Sequence, residues 1–422
     1  MDILIKSAVI VDNNSSLNNQ KMDILIEKGT IVKIAKSIKK SGNYKEISYP
    51  DLHVSIGWFD FRANFCDPGN EHKEDFTSGL KAAALGGFTG VVAMPDTYPV
   101  ADNKAGIEYV INKTVNSIVN VYPAGCLSEK AEGKEIAEMY DMHNAGAIAF
   151  TDNKKSVENP SLLTRAMLYA KSFNGLILEF PNEQNIFNNG QINEGVVSTK
   201  LGMKGIPSLA EELQVARAIY LAEYCDAAIH LTNISAKKSV EMIKQAKANG
   251  LKVTADVNSY HLLLDETCLE NFDSNFKVLP PLRTKEDQKA LIKGLKEGTI
   301  DIICSDHTPE NIENKKCEFD HAAFGIINLQ TSFAVANTAI KNKLPLADFI
   351  QKMTVAPRQL LNLTIPEIKE KTVANLTLFS PNTETEFTTS NLVSKSKNSP
   401  FINKKLTGKV FGVINRNKMI AI

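Results

Sequence analysis

The chain carries no excess charge of either sign: 48 Lys and Arg face 48 Asp and Glu. A nucleic-acid-binding chain normally shows a basic surplus, so that class is set aside. No apolar run approaches the roughly 20 residues of a membrane helix. The opening, MDILIKSAVIVDNN, lacks the apolar core and cleavage site of a signal peptide and reads as a strand. Neither GxGxxG nor GxxxxGKS/T occurs, which removes support for a dinucleotide or P-loop site. Six cysteines, Cys66, Cys126, Cys225, Cys268, Cys304 and Cys317, are scattered without a CxxC pair. They read as reduced, mostly buried thiols of a cytoplasmic protein. Histidine is the telling scarcity. The seven are His53, His72, His143, His230, His261, His307 and His321, and none forms an HxH pair. A catalytic zinc takes several His or carboxylate ligands and keeps one position open.

The ends of the chain hold short apolar or alternating runs, ILIKSAVIV and MDILIEKGTIVKIA early, ANLTLFS and KLTGKVFGVINRNKMIAI late. These predict strands. Two β-rich ends around one large middle suggest a small β-sandwich domain built from both termini, residues 1–54 and 359–422. The middle, residues 55–358, alternates apolar runs with helical stretches. The runs are GVVAMP (90–95), AIAFTD (147–152), GLILEF (175–180), AAIHLTNIS (227–235), KVTADVN (252–258) and IDIICSD (300–306). Among the helices, SLAEELQVARAIYLAEY opens with Ser208 and Glu211 at capping-box spacing, and TKEDQKALIKGLKEG closes on Gly298. Such alternation argues for an α/β fold with parallel strands, and the length suits a TIM (β/α)8 barrel. A doubly wound open sheet is the alternative.

Barrel chemistry lies at the C-terminal strand ends. Those ends carry Asp60, Arg62 and Asn64, then Asp96, Asp152, Glu179, Asn233, Asn258 and Asp306. Single Asn or Asp residues there also cap helices, but the set together predicts a polar pocket. Its members are carboxylates and amides. Neutral amides are poor zinc ligands, and an always-protonated Arg cannot ligate.

Colinear segments then match a family. DPGNEHKEDFTSG, GGFTGVVAMPDTYP, NAGAIAFTDN, the helix and strand ending HLTNIS, VTADVNSYHLLL, FKVLPPLR, the strand end CSDHTPE and SKSKNSPFINKKLTGKV together resemble the dihydroorotases in their long bacterial form, within the cyclic amidohydrolases. The resemblance spans almost the whole chain. It implies a TIM barrel with a composite sandwich and, as activity, reversible cyclisation of carbamoyl-aspartate to dihydroorotate in pyrimidine biosynthesis. It also implies a zinc-bound hydroxide, which attacks the ring amide, and an Asp that shuttles the proton.

At the site the chain departs from that pattern. The two His of the family's HxH fall on Arg62 and Asn64. The Arg that grips substrate falls on Cys66, the Asn of MPNT on Asp96, and the Asn before PPLR on Leu279. Later His positions fall on Glu179, Asn233 and Glu310. Asp152 and the proton-shuttling Asp306 match. The catalytic expectation is therefore Asp306 alone, as a vestige. The pocket expectation is Arg62, Asn64, Asp96, Asp152, Glu179 and Asn233, with no metal ligand and no cofactor. Arg62 is expected to pair with two carboxylates in place of the lost cation. The reading is a non-catalytic homologue, an assembly or regulatory partner of aspartate carbamoyltransferase or of an active dihydroorotase, itself a homo-oligomer by resemblance. The alternative is an active cyclic amidohydrolase with an oxygen-ligand metal site at Asp152, Glu179 and Asp306. His72 and Lys73 read as loop organisers, His307 as a packed residue, and Cys66 as a thiol without a His partner.

Overall fold

The computed structural model describes residues 2–39 and 42–421. The N-terminal apolar runs form β1 (Ile3–Ile10), β2 (Lys21–Glu27), β3 (Thr30–Ala35), β4 (Lys45–Ile47) and β5 (His53–Ile56). Gly57 ends this set, and the next strand begins a different sheet. That sheet holds β6 (Trp58–Ala63), β7 (Phe88–Ala93), β8 (Asn120–Gly125), β9 (Ala149–Phe150) and β10 (Ile177–Glu179). A two-stranded excursion, β11 (Ile192–Asn193) and β12 (Gly205–Ile206), interrupts it. It resumes with β13 (Ile229–Leu231), β14 (Val253–Asn258) and β15 (Ile302–Cys304).

The eight long-sheet strands lie in chain order and every pairing is parallel. β6 and β7 are buried along their whole length, as expected for parallel strands covered on both faces. First and last strands meet beyond β15, where Ala63 and His307 bridge in parallel and Asn64 N–H donates to His307 O at 2.9 Å. Asp60 completes the closure. Its Oδ1 accepts the Ser305 N–H at 2.7 Å and its Oδ2 the Ser305 hydroxyl at 2.6 Å, all fully buried. The fold is thus the (β/α)8 barrel, nearly closed, and the open-sheet alternative falls.

The C-terminal strands β16 (Asn375–Glu386), β17 (Lys405–Asn415) and β18 (Lys418–Ala421) return to β5. The resulting sheet runs β18-β17-β16-β5-β1-β2-β3, with β4 on β1. Leu376 pairs with Ile56 and Leu378 with Val54, antiparallel. Ile5, Ile10, Ile24, Val54, Leu376 and Ile414 form its own apolar core. Both chain ends therefore build one β-rich domain beside the barrel.

Helix ends match the sequence unevenly. Gly298 ends Lys285–Glu297 in the left-handed conformation, φ 78°, where a side chain would be strained. The capping box expected at Ser208 and Glu211 does not form. Ser208 donates to Glu212 at 2.7 Å, while Glu211 is buried and accepts the N–H of Ser235 at 3.1 Å and of Ala236 at 2.9 Å. Tertiary donors outbid the local cap. A capping box does form at Thr284 and Asp287.

Asp60→Ala is expected to destabilise the protein by about 2–3 kcal/mol, because it leaves the buried Ser305 N–H without a partner and the Ser305 hydroxyl with only the longer contact to Arg62 O at 3.3 Å as acceptor. Urea denaturation of the variant checks this, and a loss under about 0.5 kcal/mol would show that the closure does not depend on Asp60.

Candidate functional site at the barrel mouth

Asp306 follows β15 and is the focus of the mouth. It is 3% exposed and stands in left-handed backbone, φ 51°. Two cations converge on it. Arg62 Nε lies 3.2 Å from Oδ1, and Lys154 Nζ lies 2.8 Å from Oδ2. The same Oδ2 accepts the Tyr260 hydroxyl at 2.6 Å and the Asn258 amide at 3.3 Å. Asn153 and Asn233 are also left-handed, φ 54° and 57°. Backbone of this kind costs free energy in non-glycine residues and clusters at functional sites.

Arg62 is 2% exposed and points inward from the end of β6. Its Nη2 donates to Asn153 Oδ1 at 2.6 Å. Its Nε and Nη1 make no hydrogen bond of good geometry. Asn153 Nδ2 in turn reaches Asn64 Oδ1 at 3.3 Å, and Asn153 also meets Asp96, which is exposed in the mouth. Asn233 joins from the far side, through Asn258 Oδ1 at 2.6 Å. Its N–H binds Asp256 at 2.6 Å, and Asp256 pairs with fully buried His230 at 3.1 Å.

Two expected pocket residues are committed elsewhere. Asp152 accepts the N–H groups of Leu127 at 2.9 Å and Ser128 at 3.0 Å, plus the Ser128 hydroxyl at 2.5 Å. It holds the loop after β8. Glu179 accepts from Ser156 at 3.0 Å and Val157 N–H at 3.3 Å, and pairs with Arg217 at 3.3 Å. The expected two-carboxylate fork on Arg62 is corrected accordingly. The guanidinium has one carboxylate, Asp306, and one amide, Asn153, because Asp152 and Glu179 have nearer donors of their own.

Charge and burial are in tension here. Burial raises Glu179 to about 7 against the pull of Arg217, and burial likewise raises Asp60 to about 7. Burial lowers Lys154, with Arg62 adding to the effect, while Asp306 opposes both. Cys66 is pushed up by burial and then by Asp96, so its thiol stays protonated and unreactive. Lys73 pairs with Glu310 at 2.9 Å, which fits a loop organiser. His72 is exposed. His307 is packed, its Nδ1 accepting the Asn328 N–H at 3.0 Å.

A family model described as dihydro-orotase-like matches residues 53–239. The chain is 37% identical to the dihydroorotase of Geotalea daltonii over 422 residues, covering 100% of this chain and 99% of that one. This chain belongs to the dihydroorotase-like family. The dihydroorotase of Carboxydothermus hydrogenoformans is 41% identical over 412 residues, 97% of this chain and 95% of that protein. Among solved structures, L-hydantoinase (dihydropyrimidinase) from Arthrobacter aurescens superposes with TM-score 0.84 at 21% identity, covering 100% and 96% of the two chains. Dihydropyrimidinase from Brevibacillus agri gives 0.83 at 19%, covering 100% and 95%. These last two attest the fold.

The family's zinc does not fit the side chains at this mouth. Arg62 and Asn64 stand where the HxH pair is expected, and Arg62 and Lys154 hold the Asp306 carboxylate. Among the described residues, no group of three or more His, Cys, Asp or Glu is placed to hold a metal ion. Lys154 and Tyr260 join the site without standing at a strand end. Each lies two residues past a polar residue that follows an apolar run, Asp152 and Asn258, and the apolar pattern itself marks only the first.

Arg62→Ala is expected to cost about 2–4 kcal/mol, since a buried carboxylate loses one of two cations; thermal melting reads it, and an unchanged midpoint would refute the structural role. Glu179 gives a pH test. Its folded value is raised above the ordinary carboxylate value, so its contribution to stability is fullest at acid pH and is lost as pH climbs towards 7. Glu179→Gln should flatten the fall in unfolding free energy between about pH 4.5 and 7.5. An unaltered slope in denaturant titrations at those pH values would contradict this.

Proposed function

We propose that this protein serves pyrimidine biosynthesis in the cytoplasm as a non-catalytic member of its family. It acts there as an assembly or regulatory partner of aspartate carbamoyltransferase or of an active dihydroorotase, and as a homo-oligomer without a resident metal. The observation that carries this reading is the Arg62–Asp306–Lys154 cluster, in which fixed cations surround the carboxylate expected to shuttle protons. Metal lowers bound water from about 15.7 to about 7 and so creates hydroxide at neutral pH. A guanidinium and an ammonium offer no coordination site for that water. Substrate recognition is altered as well. Cys66 stands in place of the carboxylate-gripping Arg, and Asp96 and Glu310 add negative charge against an anionic substrate. The oxygen-ligand alternative needs Asp152, Glu179 and Asp306 to converge, and each has other partners. No helix among the described residues is long and apolar enough to cross a membrane.

The test is elemental analysis after zinc incubation, with turnover of carbamoyl-aspartate and dihydroorotate assayed on the same sample. Fewer than about 0.1 equivalents of zinc and no turnover are expected. Co-elution with aspartate carbamoyltransferase on size exclusion is expected in addition. A full equivalent of metal with turnover would overturn the reading.

A further inference from the structure

A cavity of about 310 Å³ opens beside the loop after β6. Phe65, Phe76, Met94 at the end of β7, Val100 and the helix Lys104–Thr114 contribute to its wall. Arg62, Lys154 and Asp306 are not among its lining residues, so it is distinct from the mouth. The size falls at the low end of ligand pockets, which run from about 300 to 1,000 Å³. The wall is mostly apolar, and one charged side chain lines it, Asp67.

Asp67 is 2% exposed. Its Oδ1 accepts the Tyr109 hydroxyl at 2.6 Å. Its Oδ2 lies 3.9 Å from the Lys113 ammonium, beyond hydrogen-bond distance. That ammonium, on a half-exposed side chain, donates instead to the Tyr109 oxygen at 3.3 Å. Among the described residues no hydrogen bond reaches Oδ2. A carboxylate withdrawn from water needs a close cation or several donors, and one hydroxyl does not meet that need. The unmet negative charge borders an apolar space of ligand size.

We propose that this cavity binds a small organic ammonium ion with an aryl or alkyl body. The ammonium donates to Asp67 Oδ2, and the apolar body fills the space against Phe65, Phe76, Met94 and Val110. A bare metal cation is disfavoured, because hard cations take six or more oxygen ligands and the wall offers one carboxylate among apolar side chains. Asp67 repels an anion of the same shape. A neutral alcohol gains the apolar contacts without the charge pairing.

The test uses the full chain at neutral pH and isothermal titration with three probes of similar shape. They are phenethylamine, protonated at that pH, 2-phenylethanol and phenylacetate. Phenethylamine is expected to bind at least about tenfold tighter than 2-phenylethanol, and phenylacetate more weakly than either. Asp67→Asn keeps an acceptor for Tyr109 and should bring phenethylamine down to the affinity of the alcohol. If that variant fails to fold, Lys113→Ala carries the test. This surface change removes the competing cation and should tighten phenethylamine at least about twofold. Equal affinity of the amine and the alcohol for the unaltered chain would overturn the proposal, as would an amine affinity untouched by either substitution. Either outcome of the zinc analysis leaves this expectation standing, so the two readings fail separately.

Discussion

The barrel mouth depends on how one buried carboxylate is neutralised. Asp306 cannot remain charged out of water without a counter-ion, because desolvating an isolated carboxylate costs several kcal/mol. In this chain the counter-charge is covalently part of the fold: Arg62 from the first barrel strand and Lys154 from the loop after the fourth. Other placements follow. Asn153 sits where it can accept from Arg62, Asn64 is drawn to Asn153, and Tyr260 and Asn258 donate to the same Oδ2 that Lys154 contacts. A diffusible ion leaves and returns, whereas these two cations are always present. The mouth is therefore preorganised by its own side chains.

The same logic explains why the neighbouring acids are quiet. Asp152 is fixed by two N–H groups and a hydroxyl, and Glu179 by Arg217. Both remain at their strand ends, but each has been assigned a local structural task. Glu211 shows the pattern away from the mouth, buried beneath Ser235 and Ala236 and facing Arg283 at 3.8 Å. Buried acids in this protein are satisfied by nearby donors wherever the chain supplies them.

Much of the architecture was legible from apolar runs. Six runs read as barrel strands each contain or overlap one, and the terminal β-rich segments do pair with each other. That information is legible because parallel strands need continuous apolar stretches. Side-chain direction is less accessible. The strand-end residues were found, but whether Asp152 meets Arg62 or the loop after β8 depends on approach angles that no single-strand pattern encodes. Lys154 was invisible for a related reason. A lysine four residues beyond a strand reads as solvated surface until the fold brings Asp306 to it. Ser208 and Glu211 had the right spacing for a cap, and tertiary donors claimed Glu211 first.

The pairing of β5 with β16 sets a temporal order on the molecule. Ile56 and Leu376 are neighbours across the sheet, yet some 320 residues separate them along the chain. At about 5–20 residues per second a ribosome needs roughly 15–60 s to span that interval. Throughout it the early strands present an unpaired edge, and edges of that kind are templates for misassociation. The nascent chain must carry an unfinished sheet while the barrel is still being made, and only the last strands to emerge can cover it.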